Sequence, residues 1–449
     1  MTIDEVVRES ERQGLQQIQF LYVDNGGIIR GKVSTINKLR SHMTGGIGLT
    51  RAMQAMNMMD QLQPVPGAGP VGEIRLVPDP TSFRVLPYLP RTGSLLCDMV
   101  NLDHKPWALC PRDFLKRQVI AAEKLGFRVM ATYEDEFTLA RRRDDGALEP
   151  LDDTLCFSAQ AMQIAHPVIQ DIIDALLAQG IEPEQYYPEL GHGQHELSVA
   201  PTDILVAADN QVRYRQTVHA VAMAHGLEAS FAPKPWADQA GNGAHVHFSV
   251  WDPEFSHNLF WDTHDPYHLS ELGYHFAAGV VHHLPALVGL TCASVNSYRR
   301  LNPRAWSSAY TSFGPDNREA AVRIASVFWG NEERSINLEL KASDSSANPY
   351  LALGGLLAAG LDGTRNPRPL TAMDVDPSTL TEAEREAAEV TRLPETLAGA
   401  MNRLAEDGTL TTAMGDDLVE AYLLVKRSEA EHFQLHDVDY ELMHHFSKY

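Results

Sequence analysis

The amino-acid sequence predicts an α+β protein with a small N-terminal domain, residues 1–108, and a large second domain, residues 109–449. Two observations predict this class. Segments with the apolar spacing of helices alternate with short strands that carry polar residues, and the composition changes after Lys105-Pro106-Trp107. A typical domain length of about 150 residues would allow three domains. The chain has no internal repeat or low-complexity tract, and we expect two unequal α+β units.

The N-terminal domain is expected to begin with a helix over residues 3–13. Residues 17–23 alternate apolar and polar side chains as a strand does, and Asp24-Asn25-Gly26-Gly27 supplies a turn. Residues 28–33 can then return as the second strand of a hairpin. The stretch from 45 to 93 is rich in Gly, Pro and Met, and its segment 63–70 is predicted to be a loop.

The second domain is expected to begin with a helix over residues 111–125, because Pro111 lies where a first helical turn accepts proline. A strand over residues 127–139 follows. Further helices are predicted over residues 159–180, 206–226, 267–289, 347–361, 381–406 and 415–432. The strands between these helices carry polar side chains, so the candidate chemistry lies on the sheet.

The charge balance excludes several classes of partner. The chain has 449 residues, with 37 Lys and Arg against 59 Asp and Glu, and its formal net charge at pH 7 is -22. This surplus of acid argues against nucleic acid or an anionic membrane as a partner, since phosphate binding needs a cationic face. Four scattered Cys, an acidic start without a signal-like apolar region, and the lack of an apolar stretch of membrane-spanning length indicate a cytoplasmic protein.

Four glutamates in two segments are the first candidate site residues. Glu134 and Glu136 alternate along one predicted strand and therefore project from the same face. Glu189 and Glu196 lie on either side of a glycine-rich turn. Carboxylates on one strand face repel each other unless solvent or a cation separates them. Taken alone, the Glu134 and Glu136 pair fits an exposed strand face better than a site.

Histidine and arginine complete the constellation. His245, His247 and Ser249 share one strand face; a His-x-His pair could bind zinc, but no third soft ligand with suitable spacing is evident. On a later strand, Glu339 and Lys341 share a polar face. Arginines are concentrated in one segment, which is unusual in a chain with so large a surplus of acidic residues and suggests a local anion-binding site. A solvated basic face would also explain this concentration. These arginines are Arg299, Arg300, Arg304, Arg318 and Arg323.

Together, these residue types indicate metal-dependent chemistry on a phosphorylated species. Carboxylate oxygens with one imidazole suit Mg²⁺ or Mn²⁺ far better than Zn²⁺ or Cu²⁺. Phosphoryl transfer from ATP needs divalent cations and arginine, because negative charge spreads over the phosphoryl oxygens. Residue types and spacing alone do not identify the substrate or the reaction.

The order of these segments resembles the glutamine synthetase family along nearly the whole chain. Each segment is a weak signal by itself, whereas the ordered set is highly specific. The segments that carry the resemblance are Phe20 to Asp24, Glu134 to Phe137, Glu189 to Glu196, Lys234-Pro235, Gly243 to Ser249, Asn296 to Leu301, Asn317 to Arg323 and Ser346 to Leu351.

The resemblance implies a β-grasp-like N-terminal domain and a catalytic domain with a curved antiparallel sheet flanked by helices. It also implies a homo-oligomer, usually a dodecamer of two hexamers, with active sites between neighbouring subunits. The implied substrates are glutamate or a related acid, an amine or ammonium, and ATP, with two or more Mg²⁺ or Mn²⁺ ions in each site. ATP would phosphorylate the side-chain carboxylate, and the amine would then displace phosphate from the acyl phosphate.

The same resemblance implies two metal sites. The first, near the acid substrate, is matched by Glu136, Glu189 and Glu196. The second, near the ATP phosphates, is matched by Glu134, His245 and Glu339.

Further positions match residues that bind the substrates. The nucleotide-binding positions are matched by Glu184, His247 and Ser249, and the phosphate-binding positions by Arg318 and Arg323. Arg300 matches the residue that binds the α-carboxylate of glutamate, and Gly241 lies in the loop that approaches this substrate closely. Asp24, supplied by an adjacent subunit, matches the carboxylate that attracts ammonium.

Three departures from the family pattern lie in the half of the site that handles the acid and the amine. Trp306 stands at the position of a flap glutamate that helps to deprotonate ammonium; an indole is no base, but it is a good wall for an alkyl or aryl amine. Ala240 replaces an asparagine, and Lys341 replaces an arginine that would offer a bidentate fork. The resulting prediction is a ligase that joins the γ-carboxylate of glutamate to a primary amine other than ammonia.

Three alternatives stay open. An authentic glutamine synthetase with a diverged flap would use ammonia. A structural or regulatory assembly without catalysis would be favoured by the loss of metal ligands, and none of the matched ligands is missing. A guanidino-type phosphotransferase would need a reactive Cys near the phosphates, and none of the four Cys lies in a matched motif.

Overall fold

The computed structural model describes residues 1–449 and contains fourteen helices and two sheets. The helices are α1 (Ile3–Arg12), α2 (Leu39–Gly45), α3 (Pro111–Glu123), α4 (Ala159–Ala178), α5 (Ile204–Ala224), α6 (Glu271–Thr291), α7 (Ser297–Arg300), α8 (Glu332–Ser335), α9 (Pro349–Arg365), α10 (Glu382–Ala387), α11 (Leu397–Glu406), α12 (Gly408–Met414), α13 (Asp416–Gln434) and α14 (Val438–Lys448).

The first six strands belong to the N-terminal part of the chain. They are β1 (Gln17–Val23), β2 (Ile29–Thr35), β3 (Ile47–Thr50), β4 (Glu73–Pro78), β5 (Arg84–Val85) and β6 (Thr92–Val100). The other ten are β7 (Arg128–Arg142), β8 (Leu148–Pro150), β9 (Pro183–Pro188), β10 (Gln194–Val199), β11 (Thr202–Asp203), β12 (Glu228–Ser230), β13 (Ala244–Trp251), β14 (Phe313–Pro315), β15 (Val322–Ile324) and β16 (Leu338–Leu340).

The N-terminal sheet has the strand order β2-β1-β6-β4-β3, with β5 paired to β6. The predicted hairpin is present, and the predicted strand 17–23 coincides with β1. Its strands are antiparallel except for β1 and β6, which run parallel with Phe20 opposite Leu95. Both of these side chains are buried in the core of this domain.

The larger sheet has the order β14-β15-β16-β13-β7-β10-β9. Its pairs are antiparallel except for the short edge pair β14 and β15, which is parallel. The 15-residue strand β7 lies at the centre and pairs with five other strands, namely β8, β10, β11, β12 and β13. Together with the helices, these sheets confirm the predicted α+β class.

The helices α6 and α9 form the middle of the largest core cluster. They approach closely where Gly279 faces Gly363, since a Cβ on Gly279 would lie 2.7 Å from the Gly363 Cα. A small residue is therefore required at this crossing. Asn348 begins α9 as its N-cap, and its side chain accepts hydrogen bonds from the amides of Tyr350 and Leu351, a contact worth about 1 kcal/mol.

The predicted helix over 381–406 is wrong as a single element. The structure divides it into α10 and α11, with an extended segment between them. Pro394 lies in this segment, and proline both lacks an amide hydrogen and disfavours helical geometry in the residue before it. Thr396 then caps the new helix by accepting a hydrogen bond from Gly399.

None of the fourteen helices combines the length and the apolar character needed to cross a lipid bilayer.

Candidate active site

Strand β13 brings two histidines between the carboxylates of its neighbours. His245 pairs with Glu134 of β7, and His247 pairs with Glu339 of β16. On the other side of β16, Arg323 of β15 lies directly opposite Glu339 and donates a hydrogen bond to its carboxylate. Because side chains alternate along strands, these five groups project from one face of the sheet.

Both imidazoles contact the same two carboxylates. The His247 Nε2 lies 3.3 Å from the Glu134 Oε2, and the His245 Nδ1 lies 3.5 Å from the Glu339 Oε1. One ligand atom from each of Glu134, His247 and Glu339 can be chosen so that all three lie within 4.8 Å of one another. The sequence prediction grouped His245 with these carboxylates and His247 with the nucleotide, whereas the structure brings both histidines to them.

Opposite charges shift the pKa values of Glu134, Glu339 and His247, whereas burial lowers the pKa of His245. Burial opposes ionisation of Glu134, but His247 and His245 outweigh it and lower the carboxyl pKa. Burial likewise opposes ionisation of Glu339, and the Lys341 ammonium and the histidines lower its pKa. Burial disfavours the charged form of His247, yet Glu134 and Glu339 raise its pKa to about 9.

A second group of carboxylates lies on β7 and β10. Glu196 pairs with Glu136 across these strands. The Glu136 Oε2 accepts hydrogen bonds from the Gln194 Nε2 and the Gly243 amide, each at 2.9 Å, and Tyr187 donates its hydroxyl proton to Glu196. These partners fix the direction of both carboxylates.

The carboxylates of the second group oppose one another's ionisation. Burial, followed by the charges of Glu134 and Glu136, raises the pKa of Glu196 well above its ordinary value. Burial and the charge of Glu136 raise the pKa of Glu189 to about 7. Several buried carboxylates that oppose one another's ionisation need a cation to be stable in their charged form. Oxygen ligands with imidazole fit Mg²⁺ or Mn²⁺, so the residues present fit the implied ions.

Arg300 and Gly241 form the end predicted to bind the acid substrate. Arg300 is buried; its Nη2 donates a hydrogen bond to the His245 Nε2 at 3.0 Å. A Cβ on Gly241 would lie 2.2 Å from the Pro233 carbonyl oxygen and 3.2 Å from the Arg300 Cγ. Glycine is therefore required where this loop passes the guanidinium. Lys341 is buried beside them, with its Nζ 3.5 Å from the Glu339 Oε1.

The residues predicted to bind the nucleotide lie along β9 and β13. Glu184 is exposed and close to His247; partial burial and Glu182 raise its pKa while His247 opposes the shift. The Ser249 hydroxyl accepts a hydrogen bond from the Trp251 indole at 2.8 Å. The Arg334 guanidinium lies 4.9 Å from the centre of the Trp251 ring.

The flap residue Trp306 lies in an exposed loop between α7 and β14. Its side chain is 59% exposed, and its φ of 55° is in the left-handed region that non-glycine residues seldom adopt. The Trp306 amide donates a hydrogen bond to the Glu319 Oε1 at 2.8 Å. Burial and Asp376 raise the pKa of Glu319, while the Trp306 amide opposes the shift.

A second exposed loop borders Glu189. Phe157 donates its amide hydrogen to the Pro188 carbonyl at 3.0 Å, and its ring meets the Tyr187 ring edge-on at 5.0 Å. Burial and the nearby Glu189 carboxylate raise the pKa of the Cys156 thiol. Leu155 and Phe157 are 81% and 61% exposed. Large apolar side chains therefore lie beside an acidic group.

Asp24 is not brought together with the other predicted site residues. It is fully buried in the turn between β1 and β2, where its Oδ2 accepts a hydrogen bond from the Arg30 Nε at 2.5 Å. The Ile28 amide contacts its other oxygen at 2.9 Å. The carboxylate is therefore enclosed by its own chain in this turn.

Replacing Asp24 with alanine is therefore expected to lower stability and to leave the Michaelis constant for the acceptor unchanged. The loss would strand the Ile28 amide and remove one partner of Arg30, at a cost of about 1–3 kcal/mol. Scanning calorimetry and steady-state kinetics measure the two quantities. A large rise in the Michaelis constant for the amine, without loss of stability, would instead support a role for Asp24 at the acceptor site.

Several residues of the site were not among the predicted ones. Gln194 lies in the matched segment Glu189 to Glu196. Asn337, whose Oδ1 lies 2.8 Å from the His247 Nδ1, shares the alternating face of Glu339. Both could have been found from strand periodicity. Glu319 and Phe157 lie in loops, for which sequence periodicity provides no signal.

Comparison with known proteins bears directly on this arrangement. A family profile described as "Glutamine synthetase N-terminal domain" matches residues 1–107, and one described as "Glutamine synthetase, catalytic domain" matches residues 108–445. The chain belongs to the glutamine synthetase family. Its members are ATP-dependent ligases that form C–N bonds, and this confirms the predicted family and the predicted ligase class.

Relatives within the glutamine synthetase family carry two kinds of name. The "Gamma-glutamylpolyamine synthetase GlnA3" of Streptomyces coelicolor is 36% identical over 93% of this chain and 90% of the relative. The "Glutamine synthetase" of Halobacterium salinarum is 34% identical over 84% of each chain. A solved structure described as "Crystal structure of novel glutamine synthase homolog" has a TM-score of 0.87 and 32% identity, over 97% of this chain and 99% of the other.

Proposed function

We propose that this chain is an ATP- and divalent-cation-dependent ligase that joins the γ-carboxylate of glutamate to a primary amine other than ammonia. The observation that supports an amine, rather than ammonia, as the acceptor is the presence of apolar side chains near Glu189. Leu155 and Phe157 are exposed on the loop that the Phe157 amide joins to the carbonyl of Pro188, the residue before Glu189. Trp306 occupies the flap position where ammonia-using relatives are expected to carry a glutamate. An alkyl or aryl chain would bury part of these surfaces, whereas ammonium would leave them in water.

The residues that would hold the divalent cations form the two groups described above. Glu136, Glu189 and Glu196 would hold one ion, and Glu134, Glu339 and the adjacent histidines would hold the other. Bound cations would neutralise negative charge where the γ-phosphoryl group and the substrate carboxylate approach each other. Arg318 and Arg323 would add positive charge from the chain itself.

The chemistry proceeds in two balanced steps. A γ-carboxylate oxygen takes the γ-phosphoryl group of ATP, and ADP leaves, because a carboxylate is otherwise a poor electrophile. The neutral amine nitrogen then attacks the acyl carbon; the C–N bond forms, the C–O bond to phosphate breaks, and inorganic phosphate leaves. Glu189, whose pKa is raised to about 7, would take the proton that the amine loses. Arg300 would hold the α-carboxylate and so fix the γ-carboxylate in place.

Ammonia is the second candidate acceptor. The Halobacterium salinarum relative named glutamine synthetase favours ammonia, because its identity to this chain is nearly as high as that of the polyamine-named relative.

The proposal also includes a ring-shaped homo-oligomer, a dodecamer of two hexamers, as family membership implies. Light scattering in solution measures this assembly directly.

A panel of acceptors tests the proposed function. ATP, Mg²⁺ and glutamate are supplied with ammonium, butylamine, a phenylalkylamine or a linear diamine, and both phosphate and amide are measured. We expect the specificity constant for at least one amine to exceed that for ammonium about tenfold, which corresponds to about 1.4 kcal/mol of added transition-state binding. Reactions without glutamate serve as the control. Preferred turnover of ammonium would overturn the amine proposal.

A further inference from the structure

The flap of this enzyme, residues 302–308, is held in an unusual backbone conformation. Arg304, Trp306 and Ser308 all have positive φ angles, of 59°, 55° and 64°. Residues 302–306 are exposed, whereas 307–309 are buried. Three non-glycine residues in the left-handed region within five positions persist only where other contacts impose them.

Those contacts lie mostly at the C-terminal end of the flap. The Ser307 hydroxyl donates to the Arg300 carbonyl at 2.8 Å, and the Ser308 hydroxyl donates to the Ala320 carbonyl at 2.9 Å. In the exposed part, the carboxylate of Glu319 accepts the Trp306 amide at 2.8 Å. The Arg304 side chain adds only a long contact of 3.3 Å to the Ser378 hydroxyl.

Glu319 is itself fixed by the chain around it. Its amide donates to the Asn317 Oδ1 at 3.1 Å, and the Asn317 amide group donates to the Val375 carbonyl at 2.9 Å. The preceding residue is Arg318, whose charge acts on the Glu189 carboxylate. Glu319 therefore joins the flap to the segment that carries the phosphate-binding arginine.

We propose that Glu319 is a positioning residue that latches the flap over the acceptor end of the site and so directs the acyl phosphate to the amine rather than to water. This inference rests on the proposed function for its acyl phosphate. With the flap released, a water oxygen attacks the acyl carbon, the C–O bond to phosphate breaks, and glutamate and phosphate are regenerated without an amide. Each such event consumes one ATP.

Two variants and a matched control test the latch. Glu319→Ala removes the acceptor, whereas Glu319→Gln keeps a carbonyl oxygen that can still accept the Trp306 amide hydrogen. Glu382→Ala, at an exposed position in α10, is the control. Hydrogen exchange of the Trp306 amide by mass spectrometry reports the latch without turnover. The ratio of phosphate released to amide formed reports its effect on the reaction.

Glu319→Ala is expected to speed exchange of the Trp306 amide at least tenfold and to raise the phosphate-to-amide ratio at least threefold. Glu319→Gln and Glu382→Ala should resemble the unmodified enzyme in both measurements. Unchanged exchange in Glu319→Ala, an unchanged ratio, or a Gln variant as impaired as the Ala variant would overturn the latch. Failure of the unmodified enzyme to form any amide would count against the proposed function, and the exchange rate would still show whether Glu319 holds the flap.

Discussion

Replacing Glu196 with glutamine is expected to reduce ligase activity about 10²–10³-fold without destabilising the metal-free protein. The carboxylate is buried among Glu134, Glu136 and Glu189, whose charges raise its pKa. A neutral amide of the same shape relieves that repulsion and can still accept the Tyr187 hydroxyl. It cannot supply the negative charge that a divalent cation needs, and loss of a group that stabilises charge in a transition state typically costs 10²–10³-fold in rate.

The contrast between activity and stability makes this prediction specific. Mg²⁺ should raise the midpoint temperature of thermal unfolding of the unmodified enzyme. A ligand at about 100 times its dissociation constant adds about 2.7 kcal/mol to the free energy of unfolding. That rise should be smaller or absent in Glu196→Gln, while the metal-free midpoint does not fall. Glu382→Gln, at an exposed site, is the matched control. Retained turnover in Glu196→Gln would mean that these carboxylates do not hold a metal.

Replacing Trp306 with glutamate is expected to change the preferred acceptor from an amine to ammonium. The specificity constant for ammonium should rise about 10²-fold, because a positioned general base contributes 10²–10⁴-fold to such reactions. That for an alkyl or aryl amine should fall about tenfold, because the indole surface no longer covers its apolar chain. Kinetics with both acceptors at saturating ATP and glutamate measure this exchange of preference.

Trp329 offers a matched control for the Trp306 variant. Its side chain is 98% exposed and lies in the loop between β15 and α8. Trp329→Glu introduces the same change of size and charge, and it should leave both specificity constants within about twofold, as surface substitutions away from a site usually do. Equal effects of the two substitutions would show that charge on the surface, rather than contact with the acceptor, causes the change.

The strand residues of the site could be predicted because alternation along a strand is local information. Alternation predicts that Glu134 and Glu136 share one strand face and that His245 and His247 share another, and the registers agree with this. The register between strands is a long-range property, however. Nothing in the periodicity of β13 indicates that His247, rather than a neighbour, lies opposite Glu339.

Asp24 and Glu319 show which contacts local sequence patterns do not predict. The matching segment predicts a role in the site for Asp24, but it does not indicate that Arg30 pairs with the Asp24 carboxylate in the turn. No sequence pattern points to Glu319, because its proposed role depends on a flap whose backbone angles no hydrophobic pattern encodes. Loops take their conformation from contacts made after the sheet has formed, and local sequence rules therefore do not describe them.

The central position of β7 also has a kinetic consequence. All five of its partner strands follow it in the sequence, and the last of them, β13, ends at Trp251. During synthesis, β7 would therefore expose unpaired backbone groups until more than a hundred further residues had been added. Strand pairings over such separations form slowly, and open strand edges invite association between chains. Chaperone binding during synthesis should therefore prevent aggregation most effectively before β13 emerges. Glu134 and Glu136 would gain their cross-strand neighbours on β10 and β13 late in folding.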